Sequence, residues 1–366
     1  MKISGIQIFW MIAAMELGMT LLMTMTSSLQ AAKQDAWISM IIAGGIALFI
    51  AFVATQLAVL YPNQTLVQFT ETILGKWIGK FVIVIYMVQW YTIIPIILRQ
   101  FTDLIELLLL PSTPRAPIVI LMVLLVVYVT YAGGIDGIGR CSEVLGPIII
   151  VMVLLVLFFS LNNITFKQIL PVYRDHGIMP IFNGALAPAS YLGHAVEFVM
   201  LAAFMDNPSK GSRYVYWGVL IANVLVVLST AMVVLTIGIN LLPTMWYPFF
   251  EMTRQISIFA FIENLDAIAI VIWISSVFIK LAIYMFITCY GTAQFLKIKN
   301  WRMLIWFVAP FVTILAIIPR NVTQSTTHYL LNYWVPVVLP INMIGIPLLL
   351  LIISKIQKRR KRANLN

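Results

Sequence analysis

Glu16, Glu197 and Lys280 each sit in apolar surroundings where lipid would favour no charge. A charged group at membrane depth is costly unless it faces protein or a water-filled cavity. Three such residues in one chain therefore point to an enclosed polar site. Glu16 suits a partner for a ligand amine or a protonatable switch; the plainer alternative is a neutral, hydrogen-bonded carboxylic acid. Thr20 lies one helical turn further along the same face, placed to support that site or to bond back to its own helix. Lys280 could stand in for a coupling cation, or pair with Glu16 or Glu197. The alternative is a lysine snorkelling to an interface, weakened by its depth of about a dozen residues from either end of its apolar run.

The stretch from Ala187 to Glu197 carries Pro188, Ser190, Tyr191, Gly193, His194 and Glu197 within an apolar run over 181–205. Tyr191, His194 and Glu197 recur at intervals of three, so a helix brings them near one face. Gly193 marks either an unwound turn or a close helix approach. His194 and Glu197 could form a proton-sensitive pair or a bond that merely stabilises the helix. In a further run, Tyr91 could close over a ligand or simply pack, with Gln89 and Trp90 beside it. Arg99 and Asp103, four apart, read as an ion pair near the outer end. No Walker loop, nucleophile elbow or zinc-binding helix motif occurs, so catalysis is not expected. Cys141 and Cys289 belong to no CxxC or Cys/His cluster and read as inert, Cys141 in a cytoplasmic loop; no metal or cofactor is expected.

The elements that must position these residues are membrane spans. The chain of 366 residues is 62% hydrophobic and 10% charged, with mean hydropathy +1.00. That composition belongs to a polytopic membrane protein. Ten spans are predicted, over 6–29, 36–60, 81–110, 117–132, 144–161, 181–205, 214–241, 267–295, 304–318 and 334–354. The first is read as a retained span and not a signal peptide. Between 243 and 266, aromatics mixed with Glu251, Arg254, Glu263 and Asp266 predict an amphipathic interfacial helix.

Basic residues orient the chain. With both termini in the cytoplasm, fifteen of the 23 Lys and Arg lie inside and six outside, while Arg99 and Lys280 lie within spans. Arg174 and Arg320 are among the outer six, and the tail Lys358 to Arg362 reinforces the inner count. The net charge of +10 therefore does not point to nucleic acid; the tail reads as an orientation anchor, with docking to membrane lipid headgroups or to protein as the alternative. Asn63, Asn163 and Asn321 open glycosylation sequons of no evident use.

The long polar link over 162–180 divides the chain into halves of five spans, 6–161 and 181–354. An odd number of spans per half inverts the second copy. The first span, with Glu16 and Gly18, then corresponds to the sixth, with Gly193 and Glu197. Transporters of this kind bind substrate where two such helices are discontinuous.

Several stretches resemble one family. They are Tyr247-Pro248-Phe249-Phe250-Glu251 with Ile262-Glu263-Asn264-Leu265-Asp266-Ala267 and Ile272-Trp273-Ile274; Tyr61-Pro62-Asn63-Gln64-Thr65-Leu66 with Leu74-Gly75-Lys76-Trp77-Ile78-Gly79-Lys80; and Leu170-Pro171-Val172 with Gly177-Ile178-Met179-Pro180-Ile181, Gly193 and Glu197. In order and spacing they are similar to the B subunits of endospore germinant receptors, the spore germination permease family. The resemblance implies an all-α polytopic fold of ten transmembrane helices in a five-plus-five inverted repeat, LeuT/APC-like, related to the amino acid–polyamine–organocation transporters. It implies sensing of a small polar nutrient, an amino acid by expectation, beside A-type and C-type receptor subunits in the spore inner membrane. Relatives often carry a Gly-x-Gly break in the first span, where Gly18 stands alone here. The expected ligand site joins Glu16, Gly18, Thr20, Tyr91, Tyr191, Gly193, Glu197 and Lys280 on spans 1, 3, 6 and 8. The rival expectations are an ion-coupled amino acid transporter and a structural or gating subunit.

Overall fold

The computed structural model describes residues 2–173, 177–258, 262–263, 265–319 and 323–363. Arg174, Arg320 and Asn321 lie outside them, as do 259–261 and Asn264 of the 247–267 stretch. Among the described residues, eight segments are long and apolar enough to cross a membrane, and 301–317 is a shorter apolar helix.

The first segment is α1, Gly5–Met23. A capping box starts it: Ser4 Oγ accepts from the Gln7 N–H at 3.1 Å, and Gln7 Oε1 accepts from the Ser4 N–H at 2.9 Å. The helix runs straight through Gly18 and is interrupted at Thr24, beyond which α2 spans Met25–Ala32. The cause is local. Thr20 and Thr24 hydroxyls donate back to the carbonyls of Glu16 and Thr20, at 2.6 and 2.8 Å, and such back-bonding bends helices.

Helix α3, Ala36–Leu60, coincides with the predicted second span. A short α4, Leu66–Leu74, leads through Gly75 (φ 79°) into α5, Lys76–Leu108, which contains Pro95. Spans four and five merge into α6, Arg115–Ser160, about 69 Å long at 1.5 Å per residue and so enough for two crossings. Its two arms meet at Gly134, where φ 56° and ψ −148° kink the chain. The expected loop around Cys141 is therefore helix, and Cys141 is half-buried within it.

The sixth span is compound: α7, Ile178–Leu192, a 3-10 turn over Gly193–Glu197, then α8, Phe198–Leu201. Helix α9, Pro208–Ile237, begins with proline at its first position. The predicted amphipathic helix over 243–266 is instead α10, Pro248–Arg254, followed by a two-residue strand pair joining Ser257–Ile258 to Ile262–Glu263. Phe249, Phe250 and Met252 of α10 are buried in protein, so it does not lie free on the interface. Then come α11, Asp266–Leu296, and α12, Ile305–Ile317. The last segment is a π-type helix, Leu330–Gly345, with Pro336 and Pro340 inside it, continuing as α13, Ile346–Ala363.

Burial ranks these elements. The segment 178–204 and helix α1 are the most enclosed, with 94% and 83% of an 18-residue apolar stretch buried, whereas the corresponding share in the segment of α6 is 33%. Helix α1 packs against α6, α7, α9 and α11, so Glu16 lies at the centre of the bundle. At Gly18 α1 comes close to α11: a Cβ there would lie 2.4 Å from Ser276 Cβ, and Ser276 Oγ donates to the Ala14 carbonyl at 2.6 Å.

Candidate functional site

Glu16, His194, Glu197 and Lys280 are all fully buried. They come from α1, the 3-10 turn and α11. A 3-10 turn eclipses residues three apart, which puts His194 and Glu197 on the same side. Both reach the Tyr284 hydroxyl. It donates to Glu197 Oε1 at 3.3 Å and makes a short hydrogen bond with His194 Nδ1. Tyr284 is four residues beyond Lys280, so one face of α11 carries both.

Glu197 is fully engaged. Besides Tyr284 it accepts from Gln89 Nε2 at 3.1 Å and from Trp90 Nε1 at 3.1 Å. It therefore ties the 3-10 turn to α5 and α11. Gln89 is held in turn by Asn342 Nδ2 at 2.7 Å, and the Tyr86 hydroxyl donates to the Asn342 carbonyl at 2.6 Å. This network extends into the π-type helix. His194 is stacked on Trp334, with ring centroids 5.3 Å apart, and Trp334 donates to the Ser190 carbonyl at 3.2 Å.

Glu16 and Lys280 differ from Glu197. Among the described residues, neither Glu16 oxygen has a hydrogen-bond partner, nor does Lys280 Nζ or His194 Nε2. The Glu16 carboxylate faces the backbone of Ala195 without hydrogen-bond geometry. Lys280 Nζ sits 5.0 Å above the Tyr191 ring, with Glu16, Glu197 and His194 as its electrostatic neighbours, and forms no direct ion pair with either carboxylate. The Tyr191 ring thus covers the amine, and Gln100 Nε2 fixes the Tyr191 hydroxyl at 3.1 Å.

The structure brings Glu16, Tyr191, Glu197 and Lys280 together and adds His194. Gly18 and Gly193 contribute close packing: a Cβ on Gly193 would lie 2.8 Å from Met343 Sδ and 3.0 Å from Ile50. Thr20 bonds back to the Glu16 carbonyl. Tyr91 turns away from the cluster, its hydroxyl 3.2 Å from Thr292 Oγ1 and its ring against Phe311, while its neighbour Trp90 faces inward. Tyr284, Gln100, Trp334 and Asn342 escaped the sequence reading. Tyr284 alone carried a signal, its four-residue spacing from Lys280. Arg99 and Asp103 form the expected ion pair at 2.7 Å, with both side chains buried.

The fold itself is that of known transporters. Over 90% of this chain it superposes on the nucleobase-cation-symport-1 family transporter Mhp1, crystallised closed with bromovinylhydantoin bound, at TM-score 0.63 and 13% identity, covering 75% of that chain. It superposes equally on MhsT in complex with L-phenylalanine, at TM-score 0.63 and 11% identity, covering 90% of this chain and 86% of that one. The fold is thus nearly all-helical and LeuT/APC-like. In sequence it is 27% identical over 367 residues to spore germination protein KB of Bacillus subtilis (strain 168), covering 98% of this chain and 96% of that protein. It is 26% identical over 346 residues to spore germination protein YndE of the same strain, covering 94% and 93%. The model of the spore germination protein family, Spore_permease, matches residues 2–325. The chain belongs to that family of spore germination permeases.

Proposed function

We propose that this chain is the nutrient-binding membrane subunit of a spore germinant receptor, and that it takes a small zwitterionic nutrient of the amino acid class between α1, the 3-10 turn and α11. One observation carries the reading: a buried carboxyl group, Glu16, and a buried amine, Lys280, each lack a direct partner among the described residues although they are electrostatic neighbours. Leaving two buried charges undercoordinated is costly. A zwitterion meets both needs, its ammonium on Glu16 and its carboxylate on Lys280. Glu197 already holds three donors and serves to position the 3-10 turn. Tyr191 lies over Lys280 and closes the site.

Binding shifts the balance between helix arrangements only if the ligand contacts differ between them. The 3-10 turn is suited to that change, because it joins α7 to α8 and touches the π-type helix. The halves 6–161 and 181–354 act as inverted repeats about the site, with both termini cytoplasmic and the chain in the spore inner membrane. A-type and C-type receptor subunits read out the change.

The test exchanges Tyr191, Gln100, Thr20 and their neighbours around Glu16 and Lys280 with the residues of a paralogue, in spores. The germinant preference should move with the exchanged residues. An unchanged preference in a receptor that folds and assembles normally overturns the site. The transporter fold also supports an ion-coupled carrier with Lys280 in place of the coupling cation. Concentrative uptake of a labelled amino acid by the chain alone in proteoliposomes would establish that reading instead.

A further inference from the structure

A second polar region lies away from the central cluster. A cavity of about 340 Å³ sits where α2, residues 243–247 and the start of the last segment meet. Its wall holds no charged side chain. Most of its polar groups are already engaged: the Thr26 hydroxyl donates to the Met245 and Trp246 carbonyls, both at 3.0 Å, and Gln30 donates to the Pro243 carbonyl at 2.9 Å. Tyr247 and Thr326 are different. Both belong to the wall, both are more than nine-tenths buried, and neither hydroxyl has a partner among the described residues.

Tyr247 is also the neighbour of Asp103, which bears electrostatically on its phenol. Burial first, and Asp103 second, push that phenol up, so it remains an O–H donor at neutral pH. Asp103 accepts from Arg99 Nε at 2.7 Å, and both side chains are 1% exposed. This bond occupies one edge of the guanidinium. Nη1 and Nη2, on the other edge, are buried without a partner among the described residues. Glu106, the next acid along α5, is bound to Arg115 at 2.6 Å.

Buried donors left unpaired carry their full desolvation cost, and for a charged group that cost is large. All four free groups here can donate: two guanidinium nitrogens, which can only donate, and two hydroxyls, which can do either. The group that answers such a set is an acceptor with two oxygens in one plane. The Nη1–Nη2 edge matches a carboxylate through two parallel hydrogen bonds.

We propose that the cavity at Tyr247 and Thr326 leads to a second ligand site that takes a small carboxylate, with its oxygens on Arg99 Nη1 and Nη2 and the two hydroxyls beside it. The site is independent of the Glu16–Lys280 centre, yet wired to it. Gln100, next to Arg99 on α5, bonds to the Tyr191 hydroxyl, and the Tyr191 ring covers Lys280. A carboxylate bound at Arg99 therefore bears on the residue that closes the central site.

The test uses the full chain in nanodiscs and saturation-transfer NMR, with acetate as the probe and acetamide as its neutral isostere. Acetate should bind and acetamide should not. Arg99→Lys keeps the charge and loses the fork, and should weaken acetate by about tenfold or more. Tyr247→Phe removes one oxygen with little risk to folding, and should weaken it measurably. Lys280→Met should leave acetate binding intact. Equal binding of acetate and acetamide, no acetate binding, or acetate binding that survives both Arg99→Lys and Tyr247→Phe overturns the proposal. So does loss of acetate binding in Lys280→Met alone, which would place acetate at the centre.

Discussion

Glu16, Glu197 and Lys280 are all buried ionisable residues in apolar segments, yet their surroundings differ. Glu197 is saturated by Gln89, Trp90 and Tyr284, whereas Glu16 and Lys280 have no direct partner among the described residues. Glu197→Ala strands three buried donors and should cost about 3 kcal/mol or more, read as a lowered thermal midpoint in detergent. Glu197→Gln keeps one acceptor oxygen and should cost distinctly less; equal losses would contradict the positioning role. The charges themselves were legible in the sequence, because lipid makes each of them expensive. Their partners were not. Trp334 and Asn342 look like ordinary span residues, and only the packing of the last segment against the 3-10 turn brings them to His194 and Gln89. Tyr91 shows the converse: its type suited a lid, but α5 turns Trp90 inward and Tyr91 towards Thr292.

Spans were the easy part to read among the elements, since an apolar run of about 20 residues has few other uses. Helix α3 matches its predicted limits residue for residue. Interruptions were harder, because they depend on hydrogen bonds that composition does not reveal. The first span breaks at Thr24 through back-bonding hydroxyls and not at Gly18, whose lack of a side chain serves the contact with Ser276. Gly18→Ala should therefore destabilise by about 1–3 kcal/mol through overpacking. Gly45, with nothing within 4 Å of an added Cβ, is the matched control. Gly45→Ala should be neutral or stabilising by up to about 1 kcal/mol. Thermal unfolding of the pair separates the two, and a harmless Gly18→Ala would refute the close contact. The stretch over 243–266 misled because α10 buries Phe249, Phe250 and Met252 in protein, and apolar residues read the same whether lipid or protein covers them.

At the scale of the whole molecule, the transporter fold and the spore germination family fit together with a site enclosed at the centre of the bundle. The bias of basic residues is the ground for proposing that both termini face the cytoplasm. Cysteines introduced at Lys2 and Lys358 should both react with a membrane-impermeant maleimide only from that side; labelling from opposite sides would overturn the span count. The central claim is that Glu16 and Lys280 receive the two ends of a zwitterion. Thermal stabilisation of the purified chain by each common amino acid tests it most directly, with wild type compared against Glu16→Gln and Lys280→Met. The expected result is that at least one amino acid stabilises the wild type and that both substitutions abolish the shift, while its N-acetylated or amidated derivatives produce none. An amino acid that stabilises the wild type and both variants alike would contradict it.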